Sequence, residues 1–171
     1  MQKAIGIVMV VLAPSLMGFS RTLKLRSRAG FLADFIPVLG IMRAEICTRL
    51  TPLPELMEQL STSAPSSCRE FFAGLYKGIE RLSEICFSQV WTDGVKSLRK
   101  TVLADEELEI INSLGASLGR YDSQEQKASI DAVIARLSVL AEEARAQCIV
   151  QGKLWTGLGA AMGIILAIAI V

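Results

Sequence analysis

Residues 123–171 read SQEQKASIDAVIARLSVLAEEARAQCIVQGKLWTGLGAAMGIILAIAIV, and this stretch decides the fold. In its first part Ile130, Val133, Ile134, Leu137, Leu140, Ala141, Ala144 and Cys148 recur at steps of three and four. That spacing lays one apolar stripe along an α-helix. A start is predicted at Asp122 or Ser123, because Glu125 and Gln126 each lie three residues on from one of them, the spacing of a capping box. No breaker precedes Gly152, so the helix is predicted to run almost straight into Leu154–Val171, a stretch without a single charge. At about 1.5 Å per residue such a helix can just cross a hydrocarbon core of about 30 Å.

The other end of the chain mirrors this one. Ala4–Ser20 is equally apolar and is bounded by Lys3 and Arg21. Its exit, Leu16-Met17-Gly18-Phe19-Ser20-Arg21, lacks the small-x-small pattern of a signal cleavage site, so a retained anchor is expected. Pro14 falls inside it, and a transmembrane helix tolerates proline where the freed carbonyl finds a partner. The expected organisation is therefore a transmembrane helix over 4–20, a helical domain over 21–153 and a second transmembrane helix over 154–171. Arg21, Lys24, Arg26 and Arg28 follow the first span with no acid until Asp34, and Lys153 flanks the second on the same side. Positive residues stay inside, so the central domain is expected in the cytoplasm. The same cations can rest against anionic lipid head groups.

The middle is electrically balanced. Of 18 Lys+Arg residues only Lys3 lies outside 21–153, a stretch that also holds all 17 Asp+Glu. Past Arg28 there is no basic surplus or stripe, which argues against a nucleic-acid binder. A segment of about 130 residues suffices for one core and hardly for two. There is no histidine, and Cys47, Cys68, Cys86 and Cys148 form no C-x-x-C, so a zinc site is not expected. Each cysteine lies on or beside an apolar stripe, the pattern of buried small hydrophobes in a reducing compartment. With no nucleophile–base pair and no glycine-rich phosphate loop, the chain is expected to be no enzyme, with no cofactor and no small-molecule substrate.

Helices account for the rest. Phe31, Leu32, Phe35, Leu39, Met42 and Ile46 sit at helical steps, and Pro37 predicts a kink or break after Ile36. Thr51-Pro52-Leu53-Pro54-Glu55 is a turn, with Pro54 suited to the first position of a short helix to about Ser61. From Ser66 to Val90 one stripe (Phe71, Leu75, Ile79, Leu82, Cys86) predicts a single helix, capped by Ser67 and Glu70. Trp91–Gly94 is expected to end it, and a shorter helix around Val95–Val102 to follow. Asp105, Glu106 and Glu107 crowd the first turn of a helix to Leu118, where the helix dipole favours acids, and Gly119 supplies a left-handed stop. No strand alternation is present. The predicted fold is all-α, a small antiparallel bundle of about five to six helices between two transmembrane helices.

These residues carry a family resemblance over the whole chain. Glu45-Ile46 followed by Thr51-Pro52-Leu53-Pro54-Glu55, then Trp91, then Leu114-Gly115, Leu118-Gly119, Asp122 and Gln126 resemble the stage III sporulation protein AB family of endospore-forming bacteria. Two positions depart from that pattern: Pro37, where an uninterrupted helix is the family's habit, and Cys47, where an aromatic residue is. The resemblance implies a cytoplasmic bundle similar to the platform protein of type II secretion systems and type IV pili. It implies a cytoplasmic ring ATPase as partner, stage III sporulation protein AA, and other membrane proteins of a channel between mother cell and forespore. The location implied is the mother-cell side, in the outer forespore membrane.

Arg120, Tyr121, Asp122 and Glu125 stand at a helix–helix corner and are the candidate partner interface, although capping alone accounts for Asp122. Glu45 and Arg49 are expected as a surface ion pair, and Trp91 as a core anchor at a helix end. Gly159 and Gly163 form a GxxxG in the second span and are the candidates for close transmembrane packing, with Trp155 an interfacial anchor. Two other readings share much of this pattern. A generic membrane-tethered adaptor predicts the same topology without an ATPase; an exported envelope protein predicts a cleaved first segment and disulfides.

Overall fold

A computed structural model describes residues 2–80, 86–99, 101, 103–118 and 123–170, with side chains described over 23–80, 86–99, 101, 103–118 and 124–150. Within these residues there are six α-helices and no strand: α1 Gln2–Ala44, α2 Leu53–Ser63, α3 Ser66–Ile79, α4 Phe87–Leu98, α5 Asp105–Ser117 and α6 Ser123–Ile170. A π-helical turn, Glu45–Arg49, extends α1. Residues 28–142 form one compact unit, and 1–27 with 143–171 another.

The core of the 28–142 unit explains why these segments fold as helices. Phe31, Leu32, Phe35, Val38, Leu39 and Met42 from α1 are buried with Phe71, Phe72 and Leu75 from α3 and Ile130, Val133 and Leu137 from α6. Phe35 stacks on Phe72 at 5.9 Å between ring centroids and meets Phe71 edge-on at 5.8 Å. Here the expectation of a break after Ile36 fails. Helix α1 passes through Pro37, which costs about 3 kcal/mol in a helix interior. The buried residues on both sides of Pro37 offset that loss, each worth about 1.5–3 kcal/mol when removed from water.

Two further predicted elements need correction. The single helix over Ser66–Val90 is two: α3 ends at Ile79, and Cys86 is extended ahead of α4. Phe87, Val90, Trp91, Val95 and Leu98 form a stripe of their own, all buried. Trp91–Gly94 therefore lies inside a helix and ends none. Gly94 is there for space: a Cβ on it would stand 2.7 Å from Leu75 Cδ2 and 3.2 Å from Phe71 Cε2. The Ser67–Glu70 capping box does not form either. Pro65 takes the cap position of α3, and Ser67 Oγ donates to Asp34 Oδ2 of α1 at 2.6 Å. At the start of α2, Leu53 precedes Pro54 as the first helical residue, and the helix runs two residues past Ser61.

Helices α3, α4 and α5 form an antiparallel layer. Gly78 of α3 faces Val90 of α4, where a Cβ would meet Val90 Cγ1 at 2.5 Å. Gly115 of α5 lies under Trp91, where a Cβ would stand 2.6 Å from Trp91 Cδ1. Trp91 is fully buried, contacts Phe71 edge-on at 5.3 Å and donates its indole N–H to the Ile111 carbonyl at 2.8 Å. It is the expected core anchor, set within a helix and not at its end. The acids predicted for the first turn of α5 are present, and Glu107 accepts the backbone N–H of Ala104 at 2.8 Å. Gly119 and Asp122 lie outside the described residues.

The first and last helices are continuous through both apolar segments, Ala4–Ser20 in α1 and Leu154 onward in α6. Among the described residues no helix is long and apolar enough to cross a membrane. The side chains of both segments, and with them the surroundings of Gly159 and Gly163, lie outside the described residues.

Candidate functional site

The end of α1 is wired by one side chain. Glu45 is buried, and its carboxylate accepts from Arg49 Nη1 at 2.6 Å and from Thr51 Oγ1 at 2.8 Å. Its backbone carbonyl accepts the N–H groups of Leu50 and Thr51, the latter at 3.0 Å. These are the bonds of a left-handed helix stop. The residue that takes the left-handed position is Leu50, at φ 57° and ψ 33°, the sole non-glycine with positive φ among the described residues. Pro52 is extended and leads into α2. The expected surface pair is thus lopsided: the Arg49 side chain is 71% exposed and that of Glu45 9%. The carboxylate is inside because it closes the turn.

A second buried carboxylate has a different setting. Glu107 is fully buried on α5 and pairs with Arg28 Nε of α1 at 2.8 Å. A charge in such a place is held by its partner and its hydrogen bonds. At the other end of this stretch of α1, Arg43 pairs with Asp131 of α6 at 2.5 Å. Ser117 donates to Ser129 at 2.8 Å, tying the end of α5 to α6. These bonds put the α1–α2 corner and the start of α6 at one end of the 28–142 unit.

Of the candidate interface, Glu125 is exposed in the first turn of α6, at that same end. Arg120, Tyr121 and Asp122 lie outside the described residues. Gln126, one of the motif positions, is buried. Lys24 and Arg26 of the basic run are exposed, whereas Arg28 is engaged by Glu107.

The cysteines do not behave alike. Cys68 is buried and burial pushes its thiol up; Cys86 is exposed, and the Ser88 hydroxyl, 2.9 Å away, pulls its thiol down. The expectation of four buried cysteines fails at Cys86, which caps α4 at the surface, and at Cys47 and Cys148, which are half-buried. No disulfide joins them. Among the described residues no three potential ligands gather for a metal. A shallow cleft of about 500 Å³ runs between α4 and α5, lined by Ser88, Gln89, Thr92, Asn112 and Ser113. Besides these hydroxyl and amide groups its lining includes the Cys86 thiol and the apolar Phe87 and Leu118.

Sequence reasoning missed the Leu50 strain. Positive φ at a leucine has no signature in the residue itself; the signal available was the pair of prolines that forces a corner directly after an uninterrupted helix. It also missed the reason for Gly115, which is the ring of Trp91.

With this geometry in place, comparison with known proteins is informative. The family model for stage III sporulation protein AB matches residues 3–171. A solved structure of a stage III sporulation protein AB is similar with a TM-score of 0.66 and 18% identity, covering 72% of this chain and 97% of that one. At that identity the likeness speaks for the fold. No curated protein matches.

Proposed function

The chain belongs to the stage III sporulation protein AB family, and on that premise we propose that it is a membrane-anchored platform of a sporulation-specific, secretion-like channel between mother cell and forespore. A sporulation role, in company with other stage III sporulation proteins, comes with the family. The finer reading is that the bundle couples a cytoplasmic ring ATPase, stage III sporulation protein AA, to the membrane complex. Ala4–Ser20 and Leu154–Val171 anchor it, and the bundle faces the cytoplasm on the mother-cell side.

One observation carries this reading best. The two helices that bracket the bundle, α1 and α6, are also the two that contain the apolar segments, without a break in either. A domain whose first and last helices are its anchors is suited to hold a fixed position beside a moving partner. The basic run Lys24 and Arg26 is exposed next to the first segment, as anionic lipid and the positive-inside rule require. The protein acts as a scaffold and performs no chemistry of its own.

Topology tests it first. With the native cysteines replaced and a single cysteine placed at Ser63, exposed at the end of α2, a membrane-impermeant maleimide should label only after the membrane is broken. Labelling of intact cells would place the bundle outside and end the platform reading.

A further inference from the structure

We propose that the cytoplasmic leaflet of an anionic bilayer reaches past both uncharged segments. Its acyl region covers Leu23 of α1 and Ile149 and Val150 of α6, and its head groups meet Lys24 and Arg26. This rests on the anchoring in the platform reading above and sets where the membrane boundary lies on each helix.

In the unit formed by 1–27 and 143–171, side chains are described only over 23–27 and 143–150. These few positions nevertheless include three of the seven large hydrophobics that the described residues leave exposed: Leu23, Ile149 and Val150. The buried stripe of α6 ends at Ala144, and from Arg145 to Val150 no side chain is buried. A helix surrounded by water is polar all round. This one presents Ala146, Ile149 and Val150, with Cys148 half-buried beside them. Lipid is the surrounding in which an unpacked apolar helix costs nothing.

Length argues in the same direction. At about 1.5 Å per residue, Ala4–Ser20 and Leu154–Val171 reach about 26 and 27 Å, short of a hydrocarbon core of about 30 Å. Carried on to Leu23, the first span reaches about 30 Å; begun at Ile149, the second reaches about 35 Å, enough with a modest tilt. Positions 21 and 153 then fall at head-group depth, where Arg and Lys are the charged types whose long stems carry the charge to water. Charge agrees with length. Residues 1–33 and 144–171 contain no acid, and Lys24, Arg26 and Arg145 are exposed there. Anionic head groups are drawn to such a surface and meet nothing in it that repels them. A second copy of the chain would set these cations against themselves. Val139 is exposed too, but Glu142 and Glu143 lie between it and the patch along α6, so it stays in water.

The test builds a benzophenone amino acid into the full-length chain, one position at a time, in place of Leu23, Ile149, Val150, Val139 or Leu166. Each chain is reconstituted into vesicles of phosphatidylcholine and phosphatidylglycerol and irradiated, and the adducts are identified by mass spectrometry. Lipid adducts are expected at 23, 149, 150 and 166, and none at 139. Phosphatidylglycerol should be over-represented at 23, and that excess should be lost in the Lys24→Gln, Arg26→Gln chain. Lipid adducts at 166 but not at 149 and 150 would put the boundary at Leu154 and overturn the proposal, while the anchoring stands. Adducts between chains at 149 and 150 would make the occupant a second copy, and overturn it as well. Adducts at 23 that only follow each lipid's share of the vesicle would overturn the anionic preference. No lipid adduct at 166 would mean that the anchoring itself fails, and the proposal with it.

Discussion

In the α3–α4–α5 layer, glycines stand where a helix would prefer alanine; at the α1–α2 corner, a leucine stands where the turn would prefer glycine. The first anomaly is explained inside the fold. Gly78, Gly94 and Gly115 each face a side chain that a Cβ would meet at 2.5–2.7 Å, so that a neighbour would have to shift. The second is not explained by any neighbour. Leu50 is strained and exposed together. The difference teaches how to tell an irregularity that packing requires from one that it does not.

Each region also contains a buried carboxylate, and that pair allows the strongest test. Glu107 is sealed in with Arg28, while Glu45 shares its charge with a guanidinium in water. Replacing Arg28 by Ala leaves an uncompensated buried charge and should cost about 3–5 kcal/mol. Replacing Arg49 by Ala removes an exposed partner, leaves the Thr51 hydroxyl bond in place, and should cost about 1 kcal/mol or less. Urea unfolding of the full-length chain reads both. Equal losses would mean that the two carboxylates are held alike, and the contrast would collapse.

The next effect concerns the packed region alone. A Cβ at Gly115 would press on Cδ1, Cγ and Cβ of Trp91, close to the helix backbone, where the ring cannot swing aside. Gly115→Ala should therefore destabilise by about 1–3 kcal/mol, and with the ring displaced its bond to the Ile111 carbonyl is lost too. At Gly94 the nearest atom is the far end of Leu75, so Gly94→Ala should cost visibly less. Thermal unfolding followed by circular dichroism ranks the two; a reversed order would mean that Leu75 is the stiffer neighbour.

The thiols mark the same boundary between packed and open structure. Burial raises Cys68, and the Ser88 hydroxyl lowers Cys86. Iodoacetamide near neutral pH should modify Cys86 in the native chain and reach Cys68 only on unfolding, as peptide mass analysis would show. Around the ordinary thiol value of about 8.5, the unfolded chain gives up the Cys68 proton before the folded one does. Stability from this group is thus present below that pH and falls as pH rises toward the folded value. Early modification of Cys68 would mean that the α2–α3 junction opens.

Much of this was legible in the residues. Steps of three and four marked the buried stripes of α1, α3, α5 and α6, each packed against a common core, but they merged α3 with the first turn of α4. The Leu-Gly-x-x-Leu-Gly-x-x-Asp run and the Thr-Pro-Leu-Pro-Glu turn pointed to the family before any geometry. The failures have physical causes. Pro37 and Gly94 were read as breakers, which is their local tendency; long-range packing of Phe35, Met42, Phe71 and Leu75 overrode it. Glu45 was assigned to the surface because its partner at i+4 is basic, and nothing in that spacing reveals that its other oxygen closes a turn. The candidate residues Arg120–Asp122 lie outside the described residues, and the left-handed backbone at Leu50, one residue before the predicted turn, was not singled out at all.

The smallest effect is the sharpest, since it asks whether glycine in this layer is always there for contact. Gly74 and Gly78 lie one turn apart on α3. A Cβ at Gly78 would meet Val90 Cγ1 at 2.5 Å, on a β-branched side chain with little freedom to turn. A Cβ at Gly74 would meet nothing within 4 Å. The same substitution should therefore have opposite signs. Gly78→Ala forces α3 and α4 apart and lowers stability; Gly74→Ala relieves the helix of a flexible residue and should raise it by about 0.5–1 kcal/mol. If Gly74→Ala stabilises the chain, its glycine is incidental to packing and the contrast with Gly78 stands. If it lowers stability as Gly78→Ala does, space alone does not explain the glycines of this layer, and the contrast between the two positions collapses.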